Sequence, residues 1–177
     1  MDDSLIIVDR KNEIMGWGGK SEIELLDMSF RCVHILVFLP DKRIVLPRFS
    51  MNKVKFPNMI HSSATGYVKR YEEYTDAAKR ALWECLGIKK EELKEVGSFK
   101  IEYKKCLVFH KVYTTEIKNE KEITLNPLEF QNYEKKDIES IIEDLEKNRH
   151  KYTNSFLKSF EFIKKEKKKL FIFNNFK

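Results

Sequence analysis

The stretch that most constrains this chain is Gly66 to Ile88, GYVKRYEEYTDAAKRALWECLGI. It reads as the end of a strand, a turn and a capped helix. Thr75 offers a hydroxyl to the first free amides, Asp76 sets a negative charge at the positive helix end, and Gly87 supplies a left-handed stop. Ala77, Ala81, Leu82 and Cys85 recur at helical spacing and are predicted to face inward. Asp76, Lys79, Arg80 and Glu84 line the other face.

A chain of 177 residues with 42% hydrophobic and 12% aromatic residues can bury one sizeable core, which excludes a disordered chain. The net charge of +6 and sequence pI near 9.0 suit anionic partners. Much of that excess lies in lysine runs such as Lys164 to Lys169 rather than in an arginine-rich groove, so a solvated charged face is the expectation and nucleic acid a minor one. Cys32, Cys85 and Cys106 show no metal-binding spacing and sit in apolar segments, as buried free thiols do in a reducing compartment. The start MDDSLIIVDRKNE is acidic and its apolar run is short, so no signal peptide is expected. No run approaches the ~20 apolar residues of a membrane span. The expectation is a cytoplasmic protein.

In chain order, Ser4–Asp9 and Ile14–Trp17 predict an opening hairpin, and 21–27 a short helix with Ser21 as cap and Glu24 at the capping-box position. Phe30–Leu39 and Ile44–Pro47, joined through Pro40-Asp41-Lys42, predict a central hairpin. His34 in the first of these strands is expected to be a hydrogen-bonded core histidine. Leu93–Phe99 and Lys105–Ile117 read as further strands, and Ile123–Tyr133 as a loop leading to a last one. Helices are predicted over Asp137–Asn148, with Ile138, Ile141, Ile142 and Leu145 on one face, and over Ser155–Lys165, with Phe156, Phe160 and Phe162 or Ile163 inward. Residues 1–165 then form one domain, and 166–177 a basic, aromatic tail suited to an added edge strand, a dimer contact or a membrane surface. The sequence contains no internal repeat and no linker.

Gly66, Glu72, Arg80, Leu82, Glu84, Gly87 and Ile88 resemble the Nudix box, Gly-x5-Glu-x7-Arg-Glu-U-x-Glu-Glu-x-Gly-U, where U is aliphatic. Seven of the nine fixed positions match without a gap. Ala81 and Cys85 stand where the family has glutamates. The segment RFSMNKVKFP, Arg48 to Pro57, resembles what precedes the box in Nudix proteins related to isopentenyl-diphosphate isomerase, and that likeness extends over roughly residues 4 to 160. It implies an α/β/α sandwich around a mixed sheet, with an added N-terminal hairpin.

The resemblance also implies a site. Glu84 and the Gly66 carbonyl would hold Mg2+ or Mn2+, Glu72 and Arg80 would tie the loop to the helix, and Arg48 and Lys53 would contact phosphate. Glu129 matches an outer acid that serves as a further metal ligand or as the base for water. The implied reaction is metal-assisted attack of water on a diphosphate linkage, usually in a nucleoside compound. Losing two carboxylates weakens a site built for a hard cation, since a cysteine suits Mg2+ poorly. The alternative is therefore a module that binds a nucleotide or diphosphate without turning it over. Isomerase chemistry is not expected: Thr65 and Tyr67 replace that enzyme's cysteine and histidine, and Lys104 replaces a glutamate, although Glu102 nearby matches its other acidic position.

Overall fold

The computed structural model describes residues 3–90 and 92–174, with the side chains of 167–174 left aside. The opening hairpin forms from β1 (Leu5–Val8) and β2 (Ile14–Gly18), paired antiparallel. Helix α1 (Lys20–Leu25) follows. It starts one residue earlier than expected, with Gly19 rather than Ser21 at its cap and no side-chain capping bond.

The sheet is organised on β3 (Ser29–Phe38), whose alternate residues are buried on both faces. One edge of β3 runs parallel to β7 (Cys106–Glu116) along nearly its whole length, and β6 (Lys94–Tyr103) lies antiparallel beyond β7. The other edge takes β1, then β5 (Ala64–Tyr67), then a single pair, Phe38 with Ile44 of β4 (Ile44–Phe49). The predicted central hairpin therefore opens after its turn. Ser63 is the physical reason, because its hydroxyl accepts from the Val37 amide at 2.8 Å and donates to the Val45 carbonyl at 2.6 Å. The chain entering β5 thus satisfies backbone groups of both strands where they part. Released from β3, β4 pairs antiparallel with β8 (Phe130–Lys136).

Helices cover both faces, which gives the expected α/β/α sandwich on a mixed sheet. On one face α2 (Tyr74–Leu86) packs Ala77, Ala81, Leu82 and Cys85 against Val33, Ile35, Val45 and Phe130. Its N-cap is Glu73, not Thr75. The Glu73 amide donates to Asp76 at 3.3 Å, and Thr75 sits inside the first turn with its hydroxyl 3.4 Å from that of Tyr113. Gly87 ends the helix at φ 66°, as its lack of a side chain allows.

On the other face α3 (Ile138–Asn148) and α4 (Asn154–Asn174) bury Ile141, Phe156, Phe160 and Ile163 against Leu36, Ile44 and Leu46. Each fully buried aromatic stabilises the fold by roughly 1.5–3 kcal/mol. Phe162 lies over Gly97 of β6, where any Cβ would come within 2.3 Å of its ring. Ile142 is 40% exposed and so is not part of the α3 core face. The tail does not add a strand as far as Asn174, because α4 continues through it. Residues 175–177 lie outside the described chain.

Candidate functional site

The box helix and the strand before it are locked together at their closest point. Gly66 faces Ala81, and a Cβ on the glycine would stand 2.9 Å from that of the alanine. Ala81 is fully buried there. From this contact the chain turns outward through Tyr67–Tyr71 and returns to α2.

Arg80 holds that turn. Its guanidinium donates to both Glu72 oxygens at 2.6 and 2.8 Å, to the Tyr67 carbonyl at 2.7 Å and to Glu84 at 2.8 Å. Two parallel bonds to one carboxylate fix orientation as well as charge. Glu72 also accepts from the Lys69 amide at 2.9 Å. Burial opposes the Glu72 charge, but Arg80 and that amide outweigh it and hold the carboxyl below the usual range.

Glu84 is about half exposed and bound to Arg80, with Lys69 Nζ 4.0 Å away. Behind it, Cys85 is buried with its thiol 3.6 Å from the Thr65 carbonyl. Burial pushes that thiol up to about 11, and the neighbouring Glu129 and Glu84 charges add to the rise. At neutral pH it is a protonated donor.

Glu129 reaches this place from the loop before β8. Asn126 anchors the loop by donating to the Cys85 carbonyl at 3.0 Å through its amide and to the Glu84 carbonyl at 3.1 Å through its side chain. Glu129 then meets Lys53, whose Nζ is 2.6 Å from its carboxylate and 5.7 Å from the Phe49 ring centre. Asn126 thus ties the loop that carries Glu129, and with it Lys53, to the C-terminal turn of α2 that carries Glu84 and Cys85.

Arg48 does not join them. Along β4, Val45 and Phe49 face α2 while Ile44 and Leu46 face α3 and α4, and Arg48 follows the second set. It donates to the Asn58 carbonyl at 3.0 Å and is ion-paired with Glu134. Glu134 in turn meets Lys136, which meets Asp144. The family resemblance implied a phosphate contact for Arg48; strand alternation places it on the far side of the sheet.

The residues present do not fit the metal site that the fold implies. Ala81 offers no donor, the Cys85 thiol keeps its proton, and the two remaining carboxylates are bound to Arg80 and Lys53. Among the described residues no group of three or more His, Cys, Asp and Glu side chains is placed to hold a metal ion. Nor is any described helix long and apolar enough to cross a membrane.

Two features escaped the sequence reading. Lys69 brings a cation to Glu84 from inside the variable stretch of the box, where no pattern marks it. On the opposite face, His34 is the expected core histidine, but it is part of a chain of imidazoles. Its Nδ1 lies 3.1 Å from Ser62 Oγ and its Nε2 2.9 Å from His110 Nδ1, while His61 stacks 5.4 Å away. All three are buried beneath α4. Only the pairing of β3 with β7 brings residues 34 and 110 together.

No family model matches the chain. Among curated proteins it is 27% identical over 108 residues to a Nudix hydrolase of Escherichia coli, YfcD, itself uncharacterized, covering 61% of this chain and 60% of that one. It is 30% identical over 99 residues to isopentenyl-diphosphate Delta-isomerase 2 of Aromatoleum aromaticum, covering 56% and 52%. The chain thus spans about three fifths of the first relative's length and half of the second's. The Nudix domain of Shewanella oneidensis NrtR, solved with ADP ribose, superposes with a TM-score of 0.62 over 84% of this chain and 99% of that domain, at 10% identity. The fold, the box spacing and these likenesses agree: the chain has the Nudix fold and is similar to Nudix hydrolases and to an isopentenyl-diphosphate isomerase.

Proposed function

We propose that this protein is a Nudix-fold module that binds a small phosphorylated ligand, derived from a nucleotide, without efficient turnover. One observation carries this reading: position 85, a carboxylate in the box, is here a buried thiol that keeps its proton and faces Thr65. The cations that remain suit an anion. Lys53 and Lys69 flank Glu129 and Glu84, so an incoming phosphate replaces a carboxylate as partner of an existing ammonium and keeps that ammonium's charge paired. Glu72 and Arg80 hold the turn in shape whether or not chemistry follows. The ADP ribose in the Shewanella domain supports a nucleotide-derived ligand on this fold.

Hydrolysis of a diphosphate linkage is the second reading, favoured by one feature. Glu84 and Glu129 remain as carboxylates, each close enough to Cys85 for its charge to raise the thiol's pKa, and the E. coli relative is named a hydrolase. Isomerisation finds no support, since Thr65 and Tyr67 supply neither the thiol nor the imidazole.

Phosphorus NMR separates the readings. Nucleoside diphosphate sugars, dinucleotides, nucleoside triphosphates and prenyl diphosphates are each mixed with the protein in Mg2+ and then in Mn2+. The proposal expects one class to shift or broaden without new resonances, and Lys53→Gln to weaken that response about tenfold. New phosphate resonances that vanish in Glu84→Gln establish the hydrolase instead. A panel silent throughout removes both.

A further inference from the structure

The first β-hairpin ends the sheet with an open edge. Among the described residues strand β2 pairs only with β1, and none of them sets a strand beside the outward backbone groups of Ile14–Gly18. Natural edge strands usually carry a lysine, a proline or an inward charge that discourages pairing. This one, IMGWG, carries none. Ile14 is 60% exposed, Met15 73% and Trp17 53%. Arg70 lies flat on Trp17, 3.6 Å from the ring centre, and 4.5 Å from that of the exposed Tyr71. The apolar edge is therefore continuous with the turn that carries the box residues.

We infer that β2 is a dimerisation strand whose occupant is β2 of a second copy, antiparallel about a two-fold axis through Gly16. Three observations select a second copy. Unpaired backbone along an extended strand is complemented by another extended strand. The strand is uncharged in a chain of net charge +6, so two copies meet here without repulsion. Its flanks are complementary, because the two-fold sets Glu13 opposite Gly19 of the partner subunit and beside Lys20 of the partner subunit. Both charged residues are exposed, and the Lys20 ammonium, now over Tyr67 of its own chain, has no carboxylate partner among the described residues. In that register Met15 packs against Trp17 of the partner subunit, and the two Gly16 residues oppose each other.

The size of the patch sets the strength. Ile14, Met15, Trp17 and Tyr71 together offer roughly 500 Å² per copy, below the roughly 800 Å² per partner of a standard interface. The dimer is therefore concentration-dependent. Through Arg70 and Tyr71 it bears on the box turn.

The full chain is followed by sedimentation velocity from about 2 to about 200 µM, a range that brackets a weak dimer. The expected result is a monomer that becomes a dimer as concentration rises. Met15→Lys, at an exposed position outside the core, is expected to raise the dissociation constant at least tenfold while circular dichroism stays unchanged. Open space surrounds both Gly16 and Gly19. Gly16→Cys, self-opposed at about 4.5–5.5 Å between Cα atoms, should form an oxidised dimer, and Gly19→Cys should not. A chain monomeric throughout, a dimer that Met15→Lys leaves intact, or equal cross-linking of the two cysteine variants each overturns the inference.

Discussion

The two faces of the sheet handle their polar groups in opposite ways. On the α2 face, charges are kept in two half-open groups of ion pairs, Glu72, Arg80, Glu84 and Lys69 in one and Lys53 with Glu129 in the other. On the α4 face, the polar groups sealed beneath phenylalanines are neutral imidazoles and hydroxyls, and the charges, Arg48, Glu134, Lys136 and Asp144, are confined to part-buried ion pairs beside β4 and β8. A charge near water keeps much of its hydration and can exchange partners cheaply; a buried one cannot. The difference teaches that ion pairs on the first face stay exchangeable, as the proposed binding role needs, while the sealed groups on the second are committed to the fold. Stability should therefore reside on the α4 side and binding on the α2 side.

The largest test strikes the sealed face. Phe160 is fully buried and stacked 5.6 Å from Phe156, so Phe160→Ala should cost about 3–5 kcal/mol in urea unfolding. A loss below 1 kcal/mol would mean that α4 is not an anchor. Next comes pH. Burial lowers His61 to about 4 and His110 to about 3, and it holds His34 well below 6.5, with the neighbouring histidines adding to the last two. Because the folded pKa values lie below the unfolded one, the unfolded chain binds more protons in between. Stability is thus complete above about pH 6.5 and falls as pH drops toward 4. His61 and His110 should each contribute a loss on the order of 2 kcal/mol between pH 7 and 5, and His34 a loss in the same direction. His34→Gln combined with His110→Gln should flatten the slope, and an unchanged slope would assign it to other groups. The smallest effect is expected on the open face. Glu84→Gln should change stability by no more than about 0.5 kcal/mol, because half-exposed ion pairs contribute little. A loss of 2 kcal/mol there would erase the contrast.

Much of this was legible in advance, for reasons that differ by element. The α2 helix declared itself by its spacing of Ala77, Ala81, Leu82 and Cys85 and by the glycine after it, since period and stop are local properties. Its first residue was misread, because Thr75 and Glu73 are both able to cap and only the turn held by Arg80 decides which does. The strands were legible as apolar runs, yet the pairing of β4 was not, because Ser63, eighteen residues after Val45, is what parts it from β3. Alternation marked two faces on β4 without saying which of them the box helix covers. Arg48 was misplaced for that reason alone.

By itself the sequence determined that seven positions fall at the spacing of the Nudix box with Ala81 and Cys85 at two others, and where the apolar strands and amphipathic helices run. Covalent order and local periodicity suffice for these, while the mixed sheet between helices was implied by the family resemblance. Only the tertiary structure decided that Lys53 meets Glu129 beside Cys85, that Arg48 serves the opposite face, and that His34 and His110 share a hydrogen bond across 76 residues of chain. These contacts depend on register and on which layer covers which face, and a burial free energy spread over the whole core fixes them.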